Sequence, residues 1–168
     1  MKRLSALAIS LFVLIAASAQ TVSKELSSIK PGSKIAFVCD FSQAVIMGMD
    51  EEGFGQYEPD WASDKPTVVV NFMNGINSKL DGVLVIGQLK DCEYTLNVTV
   101  RNVTTKGYIT CDAEITDTTG VKYFSVKQVN GGKEPPFSPG TKLAKMKVWA
   151  SLTGKSLGSI IRSEYLGQ

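Results

Sequence analysis

The 168-residue chain contains no histidine at all. Histidine is the usual general base of serine and cysteine nucleophiles, and it is the commonest metal ligand among the side chains. A Ser-His-Asp triad, a Cys-His pair and a histidine-bound metal are therefore excluded. The chain also lacks a phosphate-binding glycine motif, because Gly53 and Gly55 are accompanied by neither a third glycine nor a preceding strand. We expect neither a metal nor another cofactor.

Cysteine is scarce, with three residues at Cys39, Cys92 and Cys111. Their spacing contains none of the short pairs that bind structural zinc. Cys39 and Cys111 alternate in phase with apolar neighbours, which predicts that both are small residues of the core. A disulfide is the alternative in an oxidising compartment, and Cys92 with Cys111 is then the better pair.

The first 19 residues have the pattern of a secretory signal peptide. Lys2 and Arg3 precede an apolar run over residues 4–16, and small residues follow up to Ala19. The run is shorter than the about 20 residues that span a bilayer, although an uncleaved N-terminal anchor is an alternative. Cleavage after Ala19 leaves no cysteine at the new N-terminus for a lipid. We predict export to the periplasm, to the periplasmic face of the outer membrane, or out of the cell.

Charge is balanced once the signal peptide is removed. Of the 18 basic residues, Lys2 and Arg3 are lost, which leaves 16 against 16 acidic residues. This balance argues against binding to nucleic acid, which requires a strong positive field. No segment of the mature chain is apolar and long enough to be predicted as a membrane span. Residues 20–33 predict a polar lead-in segment, and residues 34–165 are sufficient for a single domain.

Apolar periodicity predicts a strand, a helix and a second strand in the first half of the domain. Residues 34–42 carry apolar side chains on both faces, which predicts a central strand covered on both sides. Residues 65–80 show the helical spacing i, i+3, i+4 and i+7, with Asp64 as the N-cap and Pro66 in the first turn. Residues 83–89 form the second strand. A helical crossover between two strands favours a parallel pair.

An antiparallel meander is predicted next. Three strands follow from the alternation of apolar and polar residues, over 94–102, 108–115 and 121–129. A turn centred on residues 104–105 would pair Val100 with Ile109 and keep the apolar side chains on one face. A proline-rich connector over residues 134–140 ends the meander.

The last helix is predicted over residues 141–165, with Thr141 as its N-cap. Its apolar stripe would cover the sheet. Small residues recur at every fourth position, at Ala150, Gly154 and Gly158, which predicts a close approach to a neighbouring element. The predicted fold class is α+β: an α/β sandwich in which a strand–helix–strand unit is followed by a three-stranded antiparallel meander and a C-terminal helix packed on the sheet.

The candidate functional surface is the acidic, aromatic segment 50–64. Asp50 predicts the N-cap of a short helix, and the spacing of Phe54, Tyr57 and Trp61 predicts one helical face. The lysines of the last helix are the expected partners of these acids, in preference to a membrane surface. The candidate interaction surface comprises Glu51, Glu52, Tyr57, Glu58, Asp60 and Trp61.

Two interpretations of this segment are open. The first is a solvated acidic surface. The second is a pair of carboxylates that acts on a glycan, with Tyr57 and Trp61 as stacking platforms for sugar rings. Calcium binding has no support, because the spacing does not resemble an EF-hand loop. Asn97 and Asn102 each begin an N-glycosylation sequon, which matters only if the source is eukaryotic.

In its layout the chain resembles the small α/β domain of bacterial envelope proteins, such as curli-secretion lipoproteins and related exported families. The likeness rests on residues 33–41 as the first strand, 85–87 in the second, 117–120 as a turn and 152–158 in the last helix. The lipid-anchoring cysteine and the pore-forming segments of the curli proteins are missing, so a secretion-channel function is not implied. The resemblance implies an envelope location and a non-catalytic role.

The sequence therefore predicts a non-enzymatic, exported bacterial envelope protein that acts as a binding or assembly component. Its expected partner is an unidentified envelope protein or a glycan. The alternatives are a carboxylate-dependent enzyme acting on glycans through segment 50–64, and a module that binds a small ligand beneath its helices.

Overall fold

The computed structural model describes residues 24–133 and 140–168. The predicted signal peptide, the start of the lead-in segment and all of the predicted connector except Gly140 lie outside these residues. The described part contains a 3-10 turn at Leu26–Ser28, strands β1 (Ser33–Asp40), β2 (Val45–Ile46), β3 (Leu84–Gly87), β4 (Tyr94–Val103), β5 (Ile109–Asp117) and β6 (Lys122–Asn130), and helices α1 (Glu51–Tyr57), α2 (Trp61–Leu80) and α3 (Lys142–Leu166).

The strands form one mixed sheet in the order β3-β1-β4-β5-β6, with the short β2 paired to β4. β1 is parallel to both β3 and β4, and β4, β5 and β6 form the antiparallel meander. Together with α3, which packs on the sheet, this arrangement confirms the predicted α+β fold class. Among the described residues, no helix combines the length and the apolar character needed to cross a membrane.

Helices α2 and α3 pack against each other over most of their length. Glycines allow this contact, because a Cβ atom on Gly154 would lie 2.2 Å from the carbonyl oxygen of Phe72. In the same way, a Cβ on Gly75 would lie 2.3 Å from the carbonyl oxygen of Ser151. The predicted close approach along the small residues of the last helix is confirmed, and its neighbour is α2.

Within the described residues, the sheet is covered on one face only. Ile35 and Phe37 of β1 are buried beneath the helices, whereas Val38, which points to the opposite face, is 48% exposed. The prediction that β1 is covered on both sides is wrong. The reason is that both long helices lie on the same side of the sheet, and the apolar side chains on the other side of β1 stay at the surface.

The turn between β4 and β5 is longer than predicted. It is closed by a hydrogen bond from the Gly107 amide to the carbonyl of Thr104, with Gly107 in the left-handed region. Val100 consequently pairs with Cys111, not with Ile109 as predicted. This error of two residues leaves the side chains of β4 up to Val100 on their predicted face, because the side chains of a strand alternate with a period of two.

Three irregularities interrupt the meander. Arg101 is an extra residue in β4, where the register shifts between Val100 and Asn102. In β6, the register shifts at Tyr123 and again at Gln128, whose φ of 59° is unusual for a residue other than glycine. Each shift is a β-bulge, which reverses the direction of the side chains that follow it.

The N-terminal half of α2 differs from its prediction. The helix begins at Trp61, so Asp64 lies in its first turn and does not act as the N-cap, and Pro66 lies inside the helix. The N-cap position is Asp60, whose side chain makes no capping hydrogen bond. In contrast, the predicted cap of α1 is confirmed, because Asp50 accepts a hydrogen bond of 2.8 Å from the amide of Gly53.

The two edges of the sheet differ in the groups that hydrogen-bond to their backbone. At the β3 edge, the side-chain amide of Asn77 accepts a hydrogen bond of 2.9 Å from the Ile86 amide and donates one of 2.7 Å to its carbonyl. The side chain thus takes the place of a neighbouring strand. At the β6 edge, the amide of Lys24 donates to the carbonyl of Lys122.

Candidate functional site

The predicted site lies where α1 meets α2, and we call residues 50–64 the acidic corner. Asp50 caps α1, and Glu51 and Glu52 lie in its first turn, where a helix favours negative charge. The chain then turns at residues 58–60 and α2 begins. The predicted single helical face is therefore wrong, since Tyr57 ends α1 and is 57% exposed, whereas Trp61 starts α2 and is buried.

Trp61 is a core residue and not a platform for a ligand. Its side chain is 4% exposed and makes edge-to-face contacts with Phe41 and Phe54, at ring-centroid distances of 5.3 and 5.4 Å. Its indole N–H donates a hydrogen bond of 3.2 Å to a carboxylate oxygen of Glu51. The prediction that Trp61 stacks on sugar rings is therefore wrong.

Glu51 is held by neighbours on both sides. The same carboxylate oxygen that accepts from Trp61 also accepts from the ammonium group of Lys65. Lys65 in turn lies 5.4 Å from the centre of the Phe41 ring. Because both partners of the ion pair are partly exposed, the pair contributes about 0.2–1 kcal/mol to stability. Together with the Trp61 hydrogen bond, the pair joins the first turn of α1 to the start of α2.

The acidic corner lines a shallow, open depression of about 600 Å³. Glu51, Glu52 and the edge of Trp61 contribute to its wall, together with Ser42 and Lys65. Three of the six predicted residues are therefore brought together. In this group Glu52 is exposed, while Glu51 is committed to Lys65 and Trp61.

The other three predicted residues lie elsewhere. The ammonium group of Lys142, in the first turn of α3, lies 4.0 Å from the centre of the Tyr57 ring and 3.9 Å from the carboxylate of Glu58. It also donates a hydrogen bond to the Tyr57 hydroxyl. Asp60 is exposed at the start of α2. Tyr57 and Glu58 thus join the end of α1 to α3, and none of the three residues lines the depression.

The basic residues of α3 were predicted to pair with the acidic segment, and two of them do. Lys142 pairs with Glu58, as described above, and Lys147 pairs with Asp64 at 2.8 Å. Both pairs are partly exposed. With Glu51, three of the six carboxylates of the acidic corner are thus paired with lysines of the same chain. No cluster of three or more cysteine, aspartate or glutamate residues in the described ranges is arranged to hold a metal ion.

The three cysteines, all in the described part of the chain, are free thiols. Burial raises the pKa of Cys39 to about 12 and also raises the pKa of Cys111 well above its ordinary value, so neither is a nucleophile. Cys92 lies two residues before Tyr94, and Tyr94 pairs with Asp117 of β5. Cys111 is six residues from Asp117 along the same strand, a distance of about 20 Å. A disulfide spans about 7 Å at most, so the predicted alternative pair is excluded.

A second polar surface lies on the uncovered face of the sheet. Five charged residues on β4, β5 and β6 meet there around a depression of about 200 Å³, and we call them the open-face cluster: Arg101, Asp112, Glu114, Lys122 and Lys127. The Nε of Arg101 donates to Asp112 at 2.9 Å, and Lys122 pairs with Glu114 at 2.8 Å.

Asp112 is the best-anchored member of the open-face cluster. Besides Arg101, it accepts a hydrogen bond of 3.0 Å from the amide of Gln128. Burial alone would raise the pKa of Asp112, but the Gln128 amide and Arg101 outweigh burial and lower it below its ordinary value. The carboxylate therefore stays ionised and holds the β6 bulge in place.

The open-face cluster was not predicted from the sequence. The signal available was the alternation of polar residues along the strands, which shows a solvated face. Which residues become neighbours depends on the pairing of three strands and on the bulges at Arg101, Tyr123 and Gln128. The alternation of residues along a strand shows neither the strand pairing nor the positions of the bulges.

No known family model matches the chain, and no curated protein matches it. Among solved structures, the chain is similar to a point variant of the PelC dodecamer from Paraburkholderia phytofirmans, with 14% identity over 78% of this chain and 91% of that chain, at a TM-score of 0.39. A second crystal form of the PelC dodecamer gives 13% identity over 77% and 89%, at a TM-score of 0.38. Likenesses this distant transfer neither a family nor a function.

Proposed function

We propose that the chain is an exported bacterial envelope protein that binds or assembles with another envelope component and catalyses no reaction. The observation that carries the proposal is the one-sided sheet. Helices α2 and α3 cover one face, and the other presents polar and charged side chains from neighbouring strands. A broad, shallow surface of this kind suits recognition of a chain or a surface, whereas a reacting group is usually enclosed and shielded from water.

The side chains that could take part in catalysis have structural roles. Glu51 orients α1 through Lys65 and Trp61, and Asp112 holds the bulge of β6. The thiols of Cys39 and Cys111 are buried in or against the core. These observations favour a binding role over a catalytic one.

Export is part of the proposal and rests on the sequence. Residues 1–19 have the pattern of a signal peptide, and the resemblance to exported envelope domains points to the same compartment. The balanced charge of the remaining chain fits a partner other than nucleic acid.

Carboxylate-dependent action on glycans is the competing function. It needs two carboxyl groups that face each other across the sugar, about 5–9.5 Å apart. Glu51 and Glu52 are consecutive residues of one helix, and Glu51 is neutralised by Lys65. A small-ligand module would need space between the helices and the sheet, where Phe72, Ile76 and Leu157 are fully buried.

Native mass spectrometry of the protein isolated gently from its own envelope fraction tests the proposal. The expected result is a complex with a retained envelope component and a protomer mass that corresponds to cleavage after Ala19. A parallel assay measures cleavage of glycans and peptides by the same sample, with Glu51→Gln and Glu52→Gln as variants. Turnover by the wild-type protein that either variant abolishes would establish the competing enzyme and refute the proposal.

A further inference from the structure

We infer that the open-face cluster binds a neutral, polyhydroxylated chain, that is, a saccharide. The inference rests on the proposed function as a non-catalytic envelope protein and names the class of its ligand. It is drawn from how the cluster is built, how its charges are balanced and how much space it encloses.

The cluster is built by bulges, which place charged residues where regular strands would not. The extra residue Tyr123 allows both Tyr123 and Phe124 to be buried, and it moves Lys122 to the open face beside Glu114. The bulge at Lys127 and Gln128 leaves Lys127 on the open face and returns Val129 to the core. Bulges redirect the side chains beside them, and they are over-represented both at sheet edges, such as β6, and next to functional sites.

A third bulge completes the arrangement on β4. Arg101 is its extra residue, and its guanidinium is held between two acceptors, Asp112 at 2.9 Å and the side-chain oxygen of Gln43 at 2.7 Å. Gln128 keeps an unfavourable left-handed backbone conformation, stabilised by its hydrogen bond to Asp112. The polar groups are therefore fixed before any ligand arrives, which lowers the entropic cost of binding.

The balance of charges selects the class of ligand. Three basic and two acidic side chains line the depression, together with the neutral polar residues Asn97, Thr99 and Ser125. Carboxylates only accept hydrogen bonds, whereas ammonium and guanidinium groups only donate them. An anionic ligand would meet Asp112 and Glu114, and a cationic one would meet the three basic groups. A hydroxyl group donates and accepts at once, so a polyol satisfies both kinds of neighbour.

The depression at the open-face cluster is small and open. A volume of about 200 Å³ is below the range of about 300–1,000 Å³ found for sites that enclose a drug-sized ligand. The cluster therefore holds about one unit of a longer chain, which continues across the sheet. We expect weak binding to a single unit and tighter binding to longer chains.

Amide NMR titration of the full-length gene product, purified from the envelope fraction of its expression host, tests this inference. The probes are three hexasaccharides: a neutral glucan, an anionic galacturonan and a cationic glucosamine polymer. The expected result is that the neutral hexamer shifts the amides of Asn97, Thr99, Glu114 and Ser125, and binds more tightly than either charged hexamer. Preference for a charged hexamer, shifts confined to the acidic corner, or no shift with any probe would overturn the inference.

Matched variants separate binding from folding. Glu114→Gln and Arg101→Gln each remove one charged contact and should weaken binding of the neutral hexamer about tenfold. Glu51→Gln removes a carboxylate from the acidic corner and should leave the affinity unchanged. The amide spectrum of the core shows whether each variant folds, and an unchanged affinity in a folded Glu114→Gln variant contradicts the inference. If no hexamer binds but a partner protein is retained, only this inference fails, whereas hydrolysis of the hexamer refutes the proposed function.

Discussion

Replacing Gly154 by alanine tests the contact between α2 and α3. The added Cβ would lie 2.2 Å from the carbonyl oxygen of Phe72, whereas ordinary contacts of this kind begin at 3.4 Å. The two helices must therefore separate by about 1 Å, which forfeits packing along their shared face. Overpacking of this kind costs about 1–3 kcal/mol. Alanine returns about 1 kcal/mol through its higher helix propensity, so we expect a net loss of about 0–2 kcal/mol in the free energy of unfolding. Relative to a helical glycine-to-alanine change without this clash, the loss is about 1–3 kcal/mol.

Gly55→Ala is the matched control for this measurement. Gly55 also lies in a helix, but a Cβ there would meet only Trp61, at an ordinary distance of 3.7 Å. The substitution should be neutral or stabilising by up to about 1 kcal/mol. Urea unfolding followed by circular dichroism gives both values. If Gly154→Ala is as stable as Gly55→Ala, the close approach of the helices is not required for stability and the reasoning fails.

Three further predictions follow from single contacts. The pKa of Asp112 is lowered in the folded state, so its ionised form stabilises the fold above about pH 4. This stabilisation is lost as the pH falls towards the folded-state pKa. In acid denaturation, the stability of Asp112→Asn should therefore depend less on pH than that of the wild type. Asn77→Leu leaves two backbone groups of β3 without partners and should cost about 2 kcal/mol in urea unfolding, whereas Asn74→Leu, at an exposed position of the same helix, should cost little. A thiol reagent should label Cys92 fastest in the folded protein, Cys39 more slowly because its pKa is raised, and Cys111 only in denaturant. Equal labelling of all three in the folded state would contradict this order.

Periodicity predicted the elements of this fold well, because burial acts on each element separately. The apolar stripe of the last helix and the alternation in the meander both correspond to side chains that are buried in the structure. The register at Val100 was wrong, since the length of the turn and the bulge at Arg101 depend on local backbone conformations that apolar patterns do not encode. The exposure of Val38 was also missed, because an apolar residue on a strand does not show which face the helices cover.

The candidate site was predicted less completely, for a related reason. Asp50 was identified correctly as a cap because capping is local, acting within three residues. The burial of Trp61 depends on Phe41, which is far away in the sequence, and the pairing of Lys147 with Asp64 joins two different helices. Contacts of this kind are set by tertiary packing, which composition and spacing describe only in part.

The amide of Asn77 also limits how copies of this protein could join through their sheets. A sheet with two accessible edges can add a neighbour at each and so grow into a fibre. Here one edge is already occupied, because both hydrogen-bonding groups of Ile86 are taken by a side chain of the same molecule. Among the described residues, β6 is then the more open edge, although Lys24 already pairs with Lys122 there. Two copies that joined through β6 would present only their β3 edges for further growth, where Asn77 competes with an incoming strand.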